Sequence, residues 1–169
     1  MIFLDTNIAV YAADGTDKVK HDKARAILLR ALAEGGFMIS AQVLNEFAKI
    51  ALIKLKKTDA EVKAHLQKLK MLQVVPVVQQ LTELAIDIRT RYDLQFYDSL
   101  LLAAAKANGC DEFWSEDLND GQLYCGIKAV NPFKGVSFEQ VFRKYVVCLY
   151  VLVLSTCNTN VIVSLTDFL

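Results

Sequence analysis

The chain is poor in histidine, with only His21 and His65 among 169 residues. Both fall on helices expected to be exposed, so a paired-histidine acid–base site for cutting phosphodiesters is disfavoured. An excess of either charge is also missing. Nineteen Lys and Arg face nineteen Asp and Glu, which excludes the strong basic field of a non-specific nucleic-acid coat. The four cysteines, Cys110, Cys125, Cys148 and Cys157, form no CxxC pair and have no histidine at metal-ligand spacing. Neither a disulfide framework nor a zinc site is expected, and free thiols in a reducing cytoplasm fit best. There is no G-x-S-x-G elbow and no phosphate-cradling Walker loop. The opening MIFLDTN lacks the basic and long apolar regions of a secretory signal.

What is present is a domain-sized chain, 54% hydrophobic and 22% charged, enough for one buried core. Short apolar runs at Ile2–Leu4, Phe37–Ile39, Val74–Val78, Phe113–Trp114 and Ile127–Val130 read as strands. The proline at 76 puts its run at a sheet edge or a strand end. Between them, apolar residues at helical spacing predict helices over 21–34, about 41–56, 58–72, 81–92 and 99–108. Ser40 is placed as an N-cap and Gly109 after a helix end. Short buried strands alternating with helices predict a three-layer α/β/α sandwich around a parallel sheet.

In open α/β sheets, ligands gather beyond the carboxyl ends of the strands. Asp5 directly follows the first strand, and Asp117 follows the Phe113–Trp114 strand within Ser115-Glu116-Asp117-Leu118-Asn119-Asp120. Asp98 stands at the start of an Ala/Leu-rich helix. Glu46 shares a helix face with Val43, Phe47 and Ile50, where an unpaired carboxylate would be costly. Taken singly, Asp98 reads as a helix cap, Asp5 and Asp117 as turn residues, and Glu46 as the partner of a lysine. Taken together, converging carboxylates call for a hard cation. Oxygen ligands of this kind suit Mg²⁺ or Mn²⁺, which activates water and stabilises charge on a phosphodiester. A phosphatase with Asp-x-Asp after its first strand is disfavoured, because Asn7 holds the second position.

These motifs carry a resemblance. Asp5-Thr6-Asn7, Asn45-Glu46-Phe47, Tyr97-Asp98-Ser99-Leu100 and Ser115-Glu116-Asp117-Leu118, followed by Gly121 and Val130-Asn131-Pro132-Phe133, resemble PIN-domain ribonucleases of the VapC toxin type. The resemblance covers residues 1–143. It implies a metal site of Asp5, Glu46, Asp98 and Asp117, with Asp5 and Asp98 as the most direct ligands of Mg²⁺ (or Mn²⁺). Thr6, Asn7 and Ser115 would support that site, with Glu116 and Asp120 near enough to assist. It further implies metal-assisted hydrolysis of RNA, including tRNA, a VapB-like antitoxin that blocks the site, and a homodimer. The competing expectation is a catalytically silent module that sequesters antitoxin or RNA.

Two features lie outside those motifs. Seven lysines fall between Lys49 and Lys70, against Asp59 and Glu61. They read either as solvated helix faces or as an RNA-backbone track or antitoxin surface. Tyr92, Phe96 and Tyr97 are expected to pack the core rather than stack on bases. Residues 144–169 form an apolar extension of unknown role, with no Lys or Arg beyond Lys144 and a single acid, Asp167. Ten apolar residues in a row, Tyr145 to Leu154, are followed by a polar break. That falls short of the roughly 20 residues a membrane span requires. A membrane association is therefore not expected, and the segment reads as a hairpin arising from a shifted or read-through frame, or as a lineage-specific extension.

Overall fold

Strand β1 (Ile2–Leu4) is followed at once by helix α1 (Thr6–Ala13) and then α2 (Lys18–Glu34). Strand β2 (Phe37–Ser40) leads into α3 (Ala41–Ile53) and α4 (Asp59–Leu69), and β3 (Gln73–Val75) into α5 (Gln79–Tyr92) and α6 (Phe96–Ala107). The described residues close with β4 (Glu112–Trp114), β5 (Leu123–Tyr124) and β6 (Ile127–Val130). This is a computed structural model, and it describes residues 1–134; the apolar extension and its expected hairpin lie outside the described residues.

The six strands form one sheet in the order β3-β2-β1-β4-β6-β5. All neighbouring pairs are parallel except β5 with β6. Phe3 and Phe113 lie opposite one another in the β1–β4 register, and their rings stack at 5.5 Å. Helices flank the sheet, giving the expected α/β/α class. The core runs continuously from β1 and β2 through Val43, Phe47, Leu101 and Leu102 to Ala129. Among the described residues, no helix is long and apolar enough to cross a membrane.

The structure departs from the periodicity at several points, each for a local reason. Asp5 does not merely stop β1. Its side chain accepts from the Thr6 amide and caps α1, a helix that the apolar run Ile8-Ala9-Val10 conceals. Strand β3 ends at Val75 rather than running to Val78, because Pro76 has no amide for the ladder. It is the edge strand, as that proline requires. Helix α6 begins at Phe96 with Gln95 as its cap, so Asp98 sits within the first turn rather than at the cap. The β5–β6 hairpin turns on Cys125 and Gly126, with φ of 52° and 89°. A two-residue turn needs both at positive φ to follow strand twist, and glycine at the second position is its only sequence signal.

Both histidines are half-buried rather than exposed. His21 Nδ1 lies 2.8 Å from the Tyr11 carbonyl oxygen, and His65 packs edge-on to Phe47 at 5.8 Å. Cys110 is buried, Cys125 is half-buried, and both are free thiols.

Candidate active site

The strand order reverses at β1. The chain moves outward through β2 and β3, then crosses back to lay β4 on the other side of β1. A crevice at such a switch point is where open α/β sheets bind ligands. Asp5 and Ser115 follow the paired ends Leu4 and Trp114, and the Asp5 amide donates to the Trp114 carbonyl at 3.1 Å. The sheet thereby brings together two segments 110 residues apart.

Asp5 is the buried centre of the site. Its carboxylate accepts from the Thr6 amide at 2.5 Å, from the Ser115 hydroxyl at 2.5 Å and from the Asn7 amide at 3.1 Å. Asn7 Nδ2 also reaches Ser115 Oγ at 3.1 Å and Asp117 Oδ2 at 3.4 Å. Ser115 Oγ accepts in turn from the Asp117 amide at 3.0 Å. Asn7 and Ser115 thus tie the β1 end to the β4 loop. From α3, Glu46 accepts from the Thr6 hydroxyl at 2.6 Å. That bond brings the third acidic segment to the N-terminus of α1, where the helix dipole favours negative charge.

The electrostatics show a site with more negative charge than its surroundings balance. Burial pushes the Asp5 carboxyl up to about 7; the Ser115 and Thr6 hydrogen bonds oppose this, and the charges of Asp98 and Asp117 add to it. Asp98 is raised as well, by burial first and then by Asp117 and Glu46. Four acidic segments therefore feel one another's charge. Asn7 Oδ1 is buried with no hydrogen-bond partner, a further oxygen donor beside the carboxylates.

This donor set fits a hard divalent cation in its chemistry, being oxygen throughout and, among the described residues, having no cation among the groups that shift Asp5 or Asp98. Among the described residues, no three His, Cys, Asp or Glu side chains are disposed as a ready-made cage. Mg²⁺ does not need one, since it keeps several waters and takes one or two carboxylates. Asp5 and Asp98 are the residues that would hold it, with Glu46 and Asp117 within their electrostatic reach.

Two of the supporting acids are engaged elsewhere. Glu116 turns toward α1 and α2, where it accepts from the Tyr11 hydroxyl and pairs with Lys20 Nζ at 2.7 Å. Lys20 also donates to Tyr11 at 2.9 Å and lies over its ring. Asp120 accepts from the Asn131 amide at 2.9 Å, and Asn131 from the Phe133 amide at 2.9 Å. Both acids fasten the loop that carries Ser115 and Asp117.

Gln42 is a site residue that sequence reasoning missed. It is buried, and its amide donates to Glu46 Oε1 at 2.7 Å and to the Tyr97 carbonyl at 3.1 Å. It therefore links the Glu46 helix to the turn that carries Asp98. Its only sequence signal is the i, i+4 spacing to Glu46, which places both on one helix face. The aromatic expectation divides. Tyr92 packs on Tyr124 and Phe96 against the core, whereas Tyr97 is 63% exposed beside Asp98.

Comparison with known proteins bears on the fold and the family. Among solved structures, the chain is similar to a toxin–antitoxin complex from Klebsiella pneumoniae. That likeness has 19% identity and a TM-score of 0.59, covering 78% of this chain and 98% of that one. The VapC20 toxin of Mycobacterium tuberculosis, described as cleaving the sarcin–ricin loop, is similar at 20% identity and a TM-score of 0.54. It covers 67% and 87% of the two chains. VapBC2 from Rickettsia felis, bound to a DNA fragment from its promoter, gives 19% identity, a TM-score of 0.54, and coverage of 78% and 98%. At such identity these likenesses show a shared fold. No curated protein matches the sequence. The family model for the PIN domain matches residues 2–119, spanning Asp5, Glu46, Asp98 and Asp117, and the chain belongs to the PIN-domain family.

Proposed function

We propose that the chain is a metal-dependent endoribonuclease that hydrolyses phosphodiester bonds in RNA, acting as the toxin of a toxin–antitoxin pair. The observation that carries this reading is the buried Asp5 carboxylate, raised to about 7 among Asp98, Asp117 and the Glu46 segment at the sheet's switch point. Uncompensated carboxylates persist at such a place when a cation and a phosphodiester complete the charge balance. The folds it shares with toxins, one of them described as cleaving the sarcin–ricin loop, support RNA as the substrate class. Single-stranded or looped RNA, including tRNA, is the proposed target.

Mg²⁺ or Mn²⁺ would supply Lewis-acid stabilisation and an activated water. The chain's own part is to hold the ligands. Thr6 and Gln42 fix Glu46, while Ser115 and Asn7 fix Asp5 and the Asp117 loop. A VapB-like antitoxin as partner is supported by the complexes among the neighbouring folds. A homodimer and action in the cytoplasm, where RNA is met, complete the proposal. The division at residue 143 belongs to it as well: a chain ending at Lys144 is expected to keep RNA cleavage, and its loss would show that the extension is integral.

Mapping of new RNA 5′ ends in cells after induction tests the function. Discrete ends are expected with the parent chain and none with Asp5→Ala. Identical end maps from the two would refute the site assignment.

A further inference from the structure

A cleft of about 260 Å³ lies between α1, α2, α3 and α4, away from the carboxylates. His21, Arg25, Lys57, His65 and Lys68 line it, above an apolar floor that includes Phe47. None of its lining side chains is acidic. Among the described residues, no ion pair engages Arg25 or Lys57. Two acids stand near its rim: Asp14, bonded to Thr16, acts on His21 and Lys57, and Glu61, in the capping box with Thr58, acts on Lys57 and His65. The cleft nevertheless keeps a positive field: after burial, Lys57 and Lys68 are what hold the His65 imidazole below its ordinary value.

The cleft lies along α1 from the acid cluster. Thr6, Ala9 and Ala13 recur at i, i+3 and i+7, one face of α1. Thr6 bonds Glu46 in the acid cluster, while Ala9 and Ala13 line the cleft. At 1.5 Å per residue the cleft lies roughly 5 to 10 Å along the helix from Thr6, within reach of the phosphates that neighbour one held at the carboxylates. We infer that this cleft is a backbone subsite for single-stranded RNA, in which Arg25 and Lys57, with Lys68 and the two histidines, take phosphates flanking the scissile one. The inference rests on the proposed ribonuclease reading. RNA is the occupant because the lining cations match a phosphate backbone; an acidic peptide would meet the same charge and is an outcome of the test. The other cations of the Lys49–Lys70 stretch, such as Lys63 and Lys70, are exposed and do not line it.

The test uses the full chain and a fluorescein-labelled oligouridylate in EDTA, with binding read by anisotropy across a salt series. Arg25→Gln with Lys57→Gln is expected to weaken binding by about tenfold and to lower the salt slope by about 1.4, two phosphate contacts on a single strand. The loss should shrink as the oligonucleotide is shortened to a dinucleotide. Lys63→Gln with Lys70→Gln should change binding less than twofold, and the charge-keeping pair Arg25→Lys with Lys57→Arg should retain it, which separates charge from misfolding. Equal losses from the two neutralising pairs, or none from either, would overturn the subsite. So would a polyglutamate peptide that binds more tightly than the RNA and is the only ligand lost in the variant. If the parent shows this binding pattern yet cuts no RNA with Mg²⁺ or Mn²⁺, the ribonuclease reading fails while the cleft remains an RNA-backbone site.

Discussion

The two ends of helix α1 carry opposite chemistry. At its N-terminus, Asp5 and Thr6 sit among carboxylates, and burial, with a smaller push from Asp98 and Asp117, raises Asp5 to about 7. Toward its C-terminus, Ala9 and Ala13 floor a cleft edged by Arg25, Lys57 and Lys68. The chain's formal charge of zero averages over the whole sequence and describes neither region. A polyanion is attracted to a neutral protein when cations and a metal-ready acid site are separated along one helix face. The acid end is built for buried precision, with the Asp5 and Glu46 carboxylates each tied by named donors. The basic end is built from long, adaptable side chains.

Removing the acid end should have the largest effect. Asp5→Asn is expected to lower metal-dependent RNA cleavage by about 100- to 1,000-fold, as several kcal/mol of metal-supplied charge stabilisation implies; single-turnover cleavage of labelled RNA reads this directly. The same substitution should raise the thermal midpoint of the metal-free protein, because it removes a buried, uncompensated charge. A lowered midpoint would show that Asp5 is chiefly a structural cap for α1.

Next in size is the hold on Glu46. Gln42→Leu keeps the bulk near that position while deleting the donor to Glu46 and to the Tyr97 carbonyl. Groups that orient metal ligands commonly matter by about 10- to 100-fold. A loss in that range is expected, with a raised Mn²⁺ requirement that distinguishes positioning from simple destabilisation. Metal titrations of activity for parent and variant make the comparison.

Solution pH probes the same imbalance without mutation. In the unfolded chain the Asp5 carboxyl ionises near 3.8, and in the folded metal-free chain near 7. Between those values the folded state keeps a proton that the unfolded state has lost, so stability should fall as pH rises from about 4 to about 7. Asp98, raised for the same reason, acts in the same direction. Thermal midpoints across this range should show the slope, and Asp5→Asn should flatten it.

The smallest effect is expected from Lys20→Met. It breaks the pair with Glu116 but leaves the Tyr11 contact. A partly exposed pair contributes about 1 kcal/mol or less, so cleavage should fall by only a few fold. A larger loss would mean that the clamp on Glu116 sets the position of Asp117 more tightly than its neighbours Ser115 and Asn7 do.

How much of this was legible in the sequence follows from locality. The strands β1, β2, β4 and β6 were readable because each is a short apolar run closed by a polar residue. Asp5, Glu46, Asp98 and Asp117 stood out only as a set, two after strand ends, one at a helix start and one on an apolar helix face, before any pairing was known. Helix α1 was hidden because its cap is also the site's central acid, so one residue had two readings. The roles of Glu116 and Asp120 were not legible: their partners Lys20, Tyr11 and Asn131 come from other segments. The cleft escaped for the same reason. Its cations lie on α2, α4 and the segment before α4, and no sequence spacing relates them.

The most direct measurement of the central claim is cleavage of 5′-labelled RNA by the full chain as Mn²⁺ or Mg²⁺ is titrated back after EDTA. Saturable, metal-restored cutting at discrete positions is expected, with Asp5→Asn and Asp98→Asn slower by about 100-fold or more at every metal concentration. Cutting that persists in EDTA, or that is undiminished in both variants, would contradict the carboxylate cluster as the site of chemistry.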